Sequence, residues 1–150
     1  MSRPLVISDC DEVLLHMIAP YREWLGETQG ITFRMDTHNF VDAMRWSDTG
    51  EPVEPSEIWR LLNAFFETEM YRQTPIAGAV EAMRALSRVA DVVVLTNVGD
   101  EHHERRTRQL AGHGLDLKVF TNLGPKGPAL QRILAEYRPT RAAFIDDIAH

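Results

Sequence analysis

Two close pairs of aspartates occur in this chain of 150 residues, and each pair comes at the end of a mostly apolar run. The pairs are Asp9 with Asp11 and Asp146 with Asp147. Two carboxylates about 4 Å apart repel each other by roughly 4 kcal/mol at an effective dielectric constant of about 20, so four acids in one crevice would be unstable without a hard cation. Carboxylate oxygens favour Mg²⁺ over zinc. The two pairs therefore predict a Mg²⁺ site.

A hydroxyl and a lysine lie at positions that suit a phosphate group. Thr96 ends the apolar run 92–95, and its hydroxyl can donate a hydrogen bond to a phosphate oxygen. Lys126 lies just before a predicted helix, whose N-terminus favours anions, and its charge would offset the negative charge that grows during phosphoryl transfer. Asn97 either contacts the phosphate or caps a turn. Each residue alone has an ordinary structural explanation, but the ordered set predicts a phosphoryl-transfer site.

The spacing of the first acidic pair indicates how such a reaction would proceed. Alternate positions of an extended chain point the same way, so the carboxylates of Asp9 and Asp11 can reach one pocket. One would act as the nucleophile and the other as an acid or base. Taken alone, Asp-x-Asp is a weak signal because it also occurs in turns and helix caps after strands.

The elements that must bring these residues together alternate between strand and helix. Apolar, β-prone runs predict strands at 5–9, 92–96, 117–121 and 142–146. Helical spacing and end signals predict helices at 78–89, 99–113 and 128–138. This alternation predicts an α/β fold with a doubly wound parallel sheet. The carboxyl ends of its strands face one crevice, where residues far apart in sequence meet.

The stretch 13–76 departs from this alternation and reads as a mostly helical insertion. Helical spacing predicts helices at 17–28 and 56–72. The part between them is ambiguous, with an alternating pattern at 31–35 and a possible helix at 36–46.

Length and composition fit a globular α/β core with such an insertion. We expect residues 1–12 and 77–150 to form the core and residues 13–76 to form a helical cap. The net charge of −6 argues against a nucleic-acid partner. The apolar runs are too short to cross a bilayer, and the N-terminus lacks a signal-peptide pattern, so no membrane association is expected. A single cysteine cannot form an internal disulfide, which fits the cytoplasm.

With its motifs in this order, the chain resembles the haloacid dehalogenase superfamily, and within it the phosphatases with a small helical cap. The resemblance rests on the residues around Asp9, Thr96, Lys126 and Asp146, and the Pro-Ile-Ala-Gly lead-in at 75–78 is also similar. It implies a Rossmann-like core in which the four predicted strands lie in the order 4-1-2-3. It also implies Mg²⁺-dependent hydrolysis of a small phosphorylated metabolite, with the cap closing over the substrate.

The resemblance also implies a role for each motif residue. Asp9 would be the nucleophile that forms an aspartyl-phosphate, and Asp11 would protonate the leaving oxygen and then activate water. Thr96 and Lys126 would hold the transferring phosphoryl group, with Asn97 as a further substrate contact.

The implied metal site uses both acidic pairs. Mg²⁺ would be bound by the Asp9 carboxylate, the Asp11 backbone carbonyl and Asp147, with Asp146 in the outer shell. An acid at Asp11 argues against the dehalogenase branch, which lacks one at this position, and so indicates phosphate esters. Glu12 is a departure, because many relatives have glycine there.

Two points stay open: what covers the sheet edge near the end of the chain, and which reaction the site performs. The chain stops at His150, three residues after Asp147, whereas relatives usually continue with a further helix and strand. Residues 142–145 would then form an exposed sheet edge. We expect either that the chain is a truncation of a longer protein or that a second copy covers this edge in a homodimer. The alternative functions are a phosphotransferase or mutase of the same superfamily, and a catalytically silent module that only binds.

Overall fold

A computed structural model describes residues 3–36 and 39–148 of the chain. They fall into a core unit, formed by the residues up to His16 and from Thr74 onward, and an inserted unit, Met17–Gln73. In chain order the strands and helices are β1 (Leu5–Ser8), α1 (Ile18–Trp24), β2 (Ile31–Phe33), β3 (Met44–Trp46), α2 (Pro55–Thr68), α3 (Ala79–Ser87), β4 (Asp91–Thr96), α4 (His103–Gly112), β5 (Lys118–Thr121), α5 (Gly127–Tyr137) and β6 (Ala142–Ile145). Among the residues described, no helix is long and apolar enough to cross a membrane.

A parallel sheet of four strands forms the centre of the core unit. Its strand order is β5-β4-β1-β6, and every neighbouring pair is parallel. In terms of the four strands expected from the sequence this is the order 4-1-2-3. The predicted α/β fold with a doubly wound parallel sheet is confirmed.

Both faces of this sheet are buried, which explains why its central strands are apolar without interruption. Leu5 and Ile7 of β1 pack with Ile133 of α5 on one face. Val6 belongs to the other apolar cluster, which includes Met83 of α3. Successive side chains of a strand point to opposite faces, so each face receives alternate residues of the same run.

The helices of the core unit begin where the sequence signals indicate. α5 carries Pro128 in its first turn, where the missing N–H of proline is tolerated. The helix expected at 99–113 is present, but it starts as a 3₁₀ turn at Asp100–His102 before α4 continues it. Tighter turns of this kind are frequent at the ends of α-helices.

Strand β6 lies at an edge of the sheet within the described part of the chain. Its backbone pairs with β1, and the N–H of Asp9 donates to the carbonyl of Ile145 at 2.8 Å. Ala142 and Ala143 are exposed. The edge expected from the sequence is therefore present, and its cover by a second copy stays a proposal.

The inserted unit combines helices with a small antiparallel ribbon. α1 continues as a π-helical segment, Leu25–Gln29, which ends at Gly30 with a left-handed φ of 64°. Glycine adopts this backbone conformation without a steric penalty. Tyr21 is fully buried at the centre of an aromatic cluster, edge-on to Phe33 and Phe65 at centroid distances of 5.7 and 5.2 Å.

The possible helix at 36–46 is wrong for the residues that the structure describes there. Phe40–Ala43 form a short 3₁₀ turn, and Met44–Trp46 form strand β3, paired antiparallel with β2. Met44 lies opposite Phe33, and both are buried. A strand of three residues is stabilised by such cross-strand contacts, which the local pattern does not contain.

Candidate active site

The predicted site residues follow strands that end at the same level of the sheet. Ser8, the last residue of β1, lies beside Val94 of β4 and Ile145 of β6. Asp9 and Asp146 therefore leave the sheet side by side, and Thr96 ends β4 near them in the register. The parallel order of the strands produces this convergence.

Three of the acids form one cluster. Ligand oxygens of Asp9, Asp146 and Asp147 all lie within 4.8 Å of one another. Asp9 is buried, and the backbone N–H of Cys10 donates to its Oδ1 at 2.7 Å. The carboxylate of Asp9 is therefore held in place, and its role as a nucleophile stays a prediction.

Lys126 supplies the cluster with positive charge. Its Nζ lies 3.0 Å from Oδ1 of Asp9 and 3.5 Å from Oδ1 of Asp146, with only 10% of the side chain exposed. The same ammonium lies 5.6 Å from the ring centroid of Phe144. One lysine cannot neutralise three carboxylates, so the cluster keeps an excess of negative charge.

Burial shifts Asp9 and Asp147 toward their protonated forms. Burial, followed by a hydrogen bond with Asp146, raises the pKa of Asp9 to about 8, although Lys126 acts in the opposite direction. Burial also raises the pKa of Asp147. A divalent cation would favour the ionised forms, and a donor set made only of oxygen atoms suits Mg²⁺. These residues therefore fit the expected metal.

Thr96 contributes a buried hydroxyl. Its Oγ1 has no hydrogen-bond partner among the described residues, and the side chain is fully buried at the end of β4. A buried hydroxyl without a partner costs about 1–3 kcal/mol. A phosphate oxygen could accept its hydrogen bond, as the sequence analysis expected.

Asp11 makes a different contact from the other acids. Its Oδ2 lies 3.0 Å from Nη2 of Arg106, a fully buried arginine of α4. Burial tends to lower the pKa of Arg106, but the charge of Asp11 raises it, with a net shift upward that keeps the guanidinium charged. The carboxylate of Asp11 is not one of the three acids of the cluster, and a metal contact through its backbone carbonyl stays a prediction.

The sequence did not single out Arg106, because a helix start that is rich in charged residues is usually exposed to solvent. His102 and Arg106 are both buried. The available signal was Leu110, because residues four positions apart share a helix face and Leu110 is the apolar anchor of α4. Charge alone was a misleading guide to the exposed face.

Asn97 connects two loops of the site. Its Nδ2 donates to the carbonyl of Gly124 at 3.0 Å, and its Oδ1 accepts from Nδ2 of Asn122 at 3.0 Å. The loop it binds leads directly to Lys126. A substrate contact by Asn97 stays a prediction, while its observed contacts hold this loop.

No family model and no curated protein matches the chain. Among solved structures, it is similar to a haloacid dehalogenase-like family hydrolase from Xanthomonas campestris. The match has a TM-score of 0.57 and 20% sequence identity, and it covers 98% of this chain and 75% of that one. The chain has the haloacid dehalogenase-like fold.

The backbone has an unusual conformation just after the first motif. Glu12 has a φ of 62°, in the left-handed region that favours glycine. The loop keeps its conformation despite the side chain, at a cost of roughly 1–2 kcal/mol. Glutamate at position 12 therefore places strain in the backbone of this loop.

Proposed function

We propose that this protein is a Mg²⁺-dependent phosphatase that hydrolyses a small phosphorylated metabolite. The observation that carries the proposal is the buried Asp9 carboxylate, held beside Lys126 and within a cluster of acids. The structural neighbour is described as a hydrolase, which supports the reaction class. The proposal of a small substrate also assumes that the inserted unit acts as a cap, as the family resemblance implies.

In the first step a carboxylate oxygen of Asp9 attacks phosphorus. Asp11, which accepts a hydrogen bond from Arg106 through Oδ2, must carry a proton when the ester binds. The bond from phosphorus to the ester oxygen breaks, and Asp11 gives that proton to the oxygen, so that an alcohol leaves. Asp9 now carries the phosphoryl group as an acyl phosphate. Lys126 offsets the charge on the transferring group, and the hydroxyl of Thr96 donates to one of its oxygens.

In the second step water attacks the phosphorus of the acyl phosphate. Asp11, now a carboxylate, takes a proton from that water as the bond between Asp9 and phosphorus breaks. Inorganic phosphate leaves, and both carboxyl groups return to their starting states. The same residue thus acts as acid and then as base, as microscopic reversibility allows.

The residues that would hold Mg²⁺ are the carboxylates of Asp9 and Asp147 and the backbone carbonyl of Asp11, with Asp146 in the outer shell. When bound, the ion would supply positive charge that favours ionised carboxylates and offsets the charge of a phosphate ester. The distances within the acid cluster support this assignment.

The test is release of phosphate from a panel of small esters, with Mg²⁺ and with a chelator. Asp9→Asn should abolish release, and Asp116→Asn, which changes an exposed acid of the same unit, should leave it unchanged. Wild-type protein that releases no more phosphate than Asp9→Asn would refute the proposal and favour the silent binding module. Transfer to an added alcohol in place of water would reassign the protein as a phosphotransferase.

A further inference from the structure

Arg106 is the largest fully buried side chain among the described residues. A buried charge is stable only when it is paired and hydrogen-bonded. Here Nη2 donates to Oδ2 of Asp11 at 3.0 Å, and Nη1 donates to Oε1 of Gln109 at 2.9 Å. The guanidinium is therefore held at two points.

These contacts join α4 to the loop after β1. Gln109 lies one helical turn beyond Arg106, so helix α4 fixes the guanidinium from its own side. The loop contributes Asp11, whose side chain is 21% exposed and so is not sealed from solvent. A planar guanidinium with donors in a rigid fork imposes a direction on the carboxylate it binds, which a point charge does not.

We infer that Arg106 is a positioning residue that orients the Asp11 carboxylate for proton transfer, an inference that rests on the proposed phosphatase function. An acid or base must lie within hydrogen-bond reach of the proton it moves. A displacement of about 1 Å can lower a rate by roughly 100-fold. The inference gives Arg106 an effect on the reaction although it need not touch the substrate.

The decisive measurement isolates the first step, in which Asp11 gives a proton to the leaving oxygen, from the later hydrolysis of the acyl phosphate. Under single-turnover conditions, with enzyme in excess, release of the leaving group reports the first step alone. An alkyl phosphate has a poor leaving group and depends on protonation, whereas 4-nitrophenyl phosphate does not. Arg106→Met should slow release from the alkyl ester by roughly 100-fold and from the nitrophenyl ester by less than about fivefold.

Two further variants control for charge and for the helix. Arg106→Lys keeps the charge but not the fork, so it should recover only part of the rate on the alkyl ester. Arg108→Met removes an exposed arginine of the same helix, paired with Glu104 at 2.8 Å, and should leave both rates unchanged. Thermal melts and circular dichroism establish that each variant is folded.

Should Arg106→Met fail to fold, Gln109→Leu tests the same contact more gently. It removes one acceptor of the guanidinium and should give a smaller loss with the same dependence on the leaving group. The pattern across the two esters, rather than the size of the loss, identifies positioning.

A double-mutant cycle with Asp11→Asn completes the test. If Arg106 acts through Asp11, Arg106→Met should cause no further loss on the alkyl ester once Asp11 is changed. Equal losses on both esters, an increase in rate, or full additivity with Asp11→Asn would overturn the inference while leaving the phosphatase proposal intact. Wild-type protein with no activity above Asp9→Asn would overturn both.

Discussion

The ammonium of Lys126 lies 3.0 Å from Oδ1 of Asp9, and both side chains are largely buried. The lysine comes from the start of α5 and the acid from the end of β1, so a contact between distant parts of the chain joins the expected nucleophile to the expected phosphate ligand. Because Asp146 also lies near the ammonium, the lysine offsets part of the repulsion within the acid cluster.

Removal of this lysine should affect both activity and stability. We expect Lys126→Met to lower kcat by about 100-fold or more, because charge that develops on the phosphoryl group loses its counter-charge. The free energy of unfolding at neutral pH should also fall, since the acids keep their mutual repulsion. Phosphate release and urea titrations measure the two effects. Lys118→Met, which removes an exposed lysine paired with Glu136, is the matched control, and an equal loss there would contradict the expectation.

Stability of the metal-free protein should decrease as pH rises. Folding raises the pKa of Asp9 from its ordinary value of 3.8 to about 8, mainly through burial. Between these values the folded state binds more protons than the unfolded state, so the free energy of unfolding falls with increasing pH. Thermal melts in a chelator across this interval measure the slope. Asp9→Asn should reduce the slope, and an unchanged slope would contradict the assignment.

Mg²⁺ should stabilise the protein more at about pH 8 than at about pH 5, because metal binding requires ionised carboxylates. The increase in melting temperature on adding Mg²⁺ is the measurement. Asp147→Asn should weaken this increase, while Asp116→Asn should preserve it. A shift that does not depend on pH would show that the ion binds elsewhere.

Glu12→Gly should relieve strain in the loop after the first motif. With a φ of 62°, residue 12 is in a conformation that glycine adopts freely. We expect Glu12→Gly to be more stable than Glu12→Ala by about 1 kcal/mol, and this comparison cancels the loss of the glutamate side chain. Urea denaturation gives the difference. If the alanine variant is the more stable one, the backbone is not strained.

Tyr21→Phe tests the aromatic cluster of the inserted unit. The Tyr21 hydroxyl is buried and has no hydrogen-bond partner among the described residues, and its burial raises the pKa of the phenol. Its removal should leave stability unchanged or raise it by about 1 kcal/mol, whereas Tyr21→Ala should cost roughly 3–5 kcal/mol. Tyr71→Phe is the control, because that side chain is 75% exposed. A large loss in Tyr21→Phe would reveal a partner for the hydroxyl.

The sequence predicted those elements of the fold that have a clear local pattern of apolar residues. The apolar runs before Asp9, Thr96 and Asp146 indicated buried parallel strands, and parallel topology alone implied that their ends would meet. Strand β3 was not predictable in this way, because its three residues depend on pairing with β2. The buried position of Arg106 also escaped local reasoning, since its burial depends on an acid ninety-five positions away in the chain.

Asn97 and Asn122 connect the loop after β4 to the loop before α5. Thr96 precedes the first loop and Lys126 follows the second, so these hydrogen bonds connect the two residues that are expected to bind phosphate. The contacts between the loops favour one spacing between Thr96 and Lys126. If Thr96 and Lys126 bind the phosphoryl group that all substrates share, they cannot distinguish one substrate from another. Selectivity should therefore evolve at other residues, which contact the part of the substrate that varies.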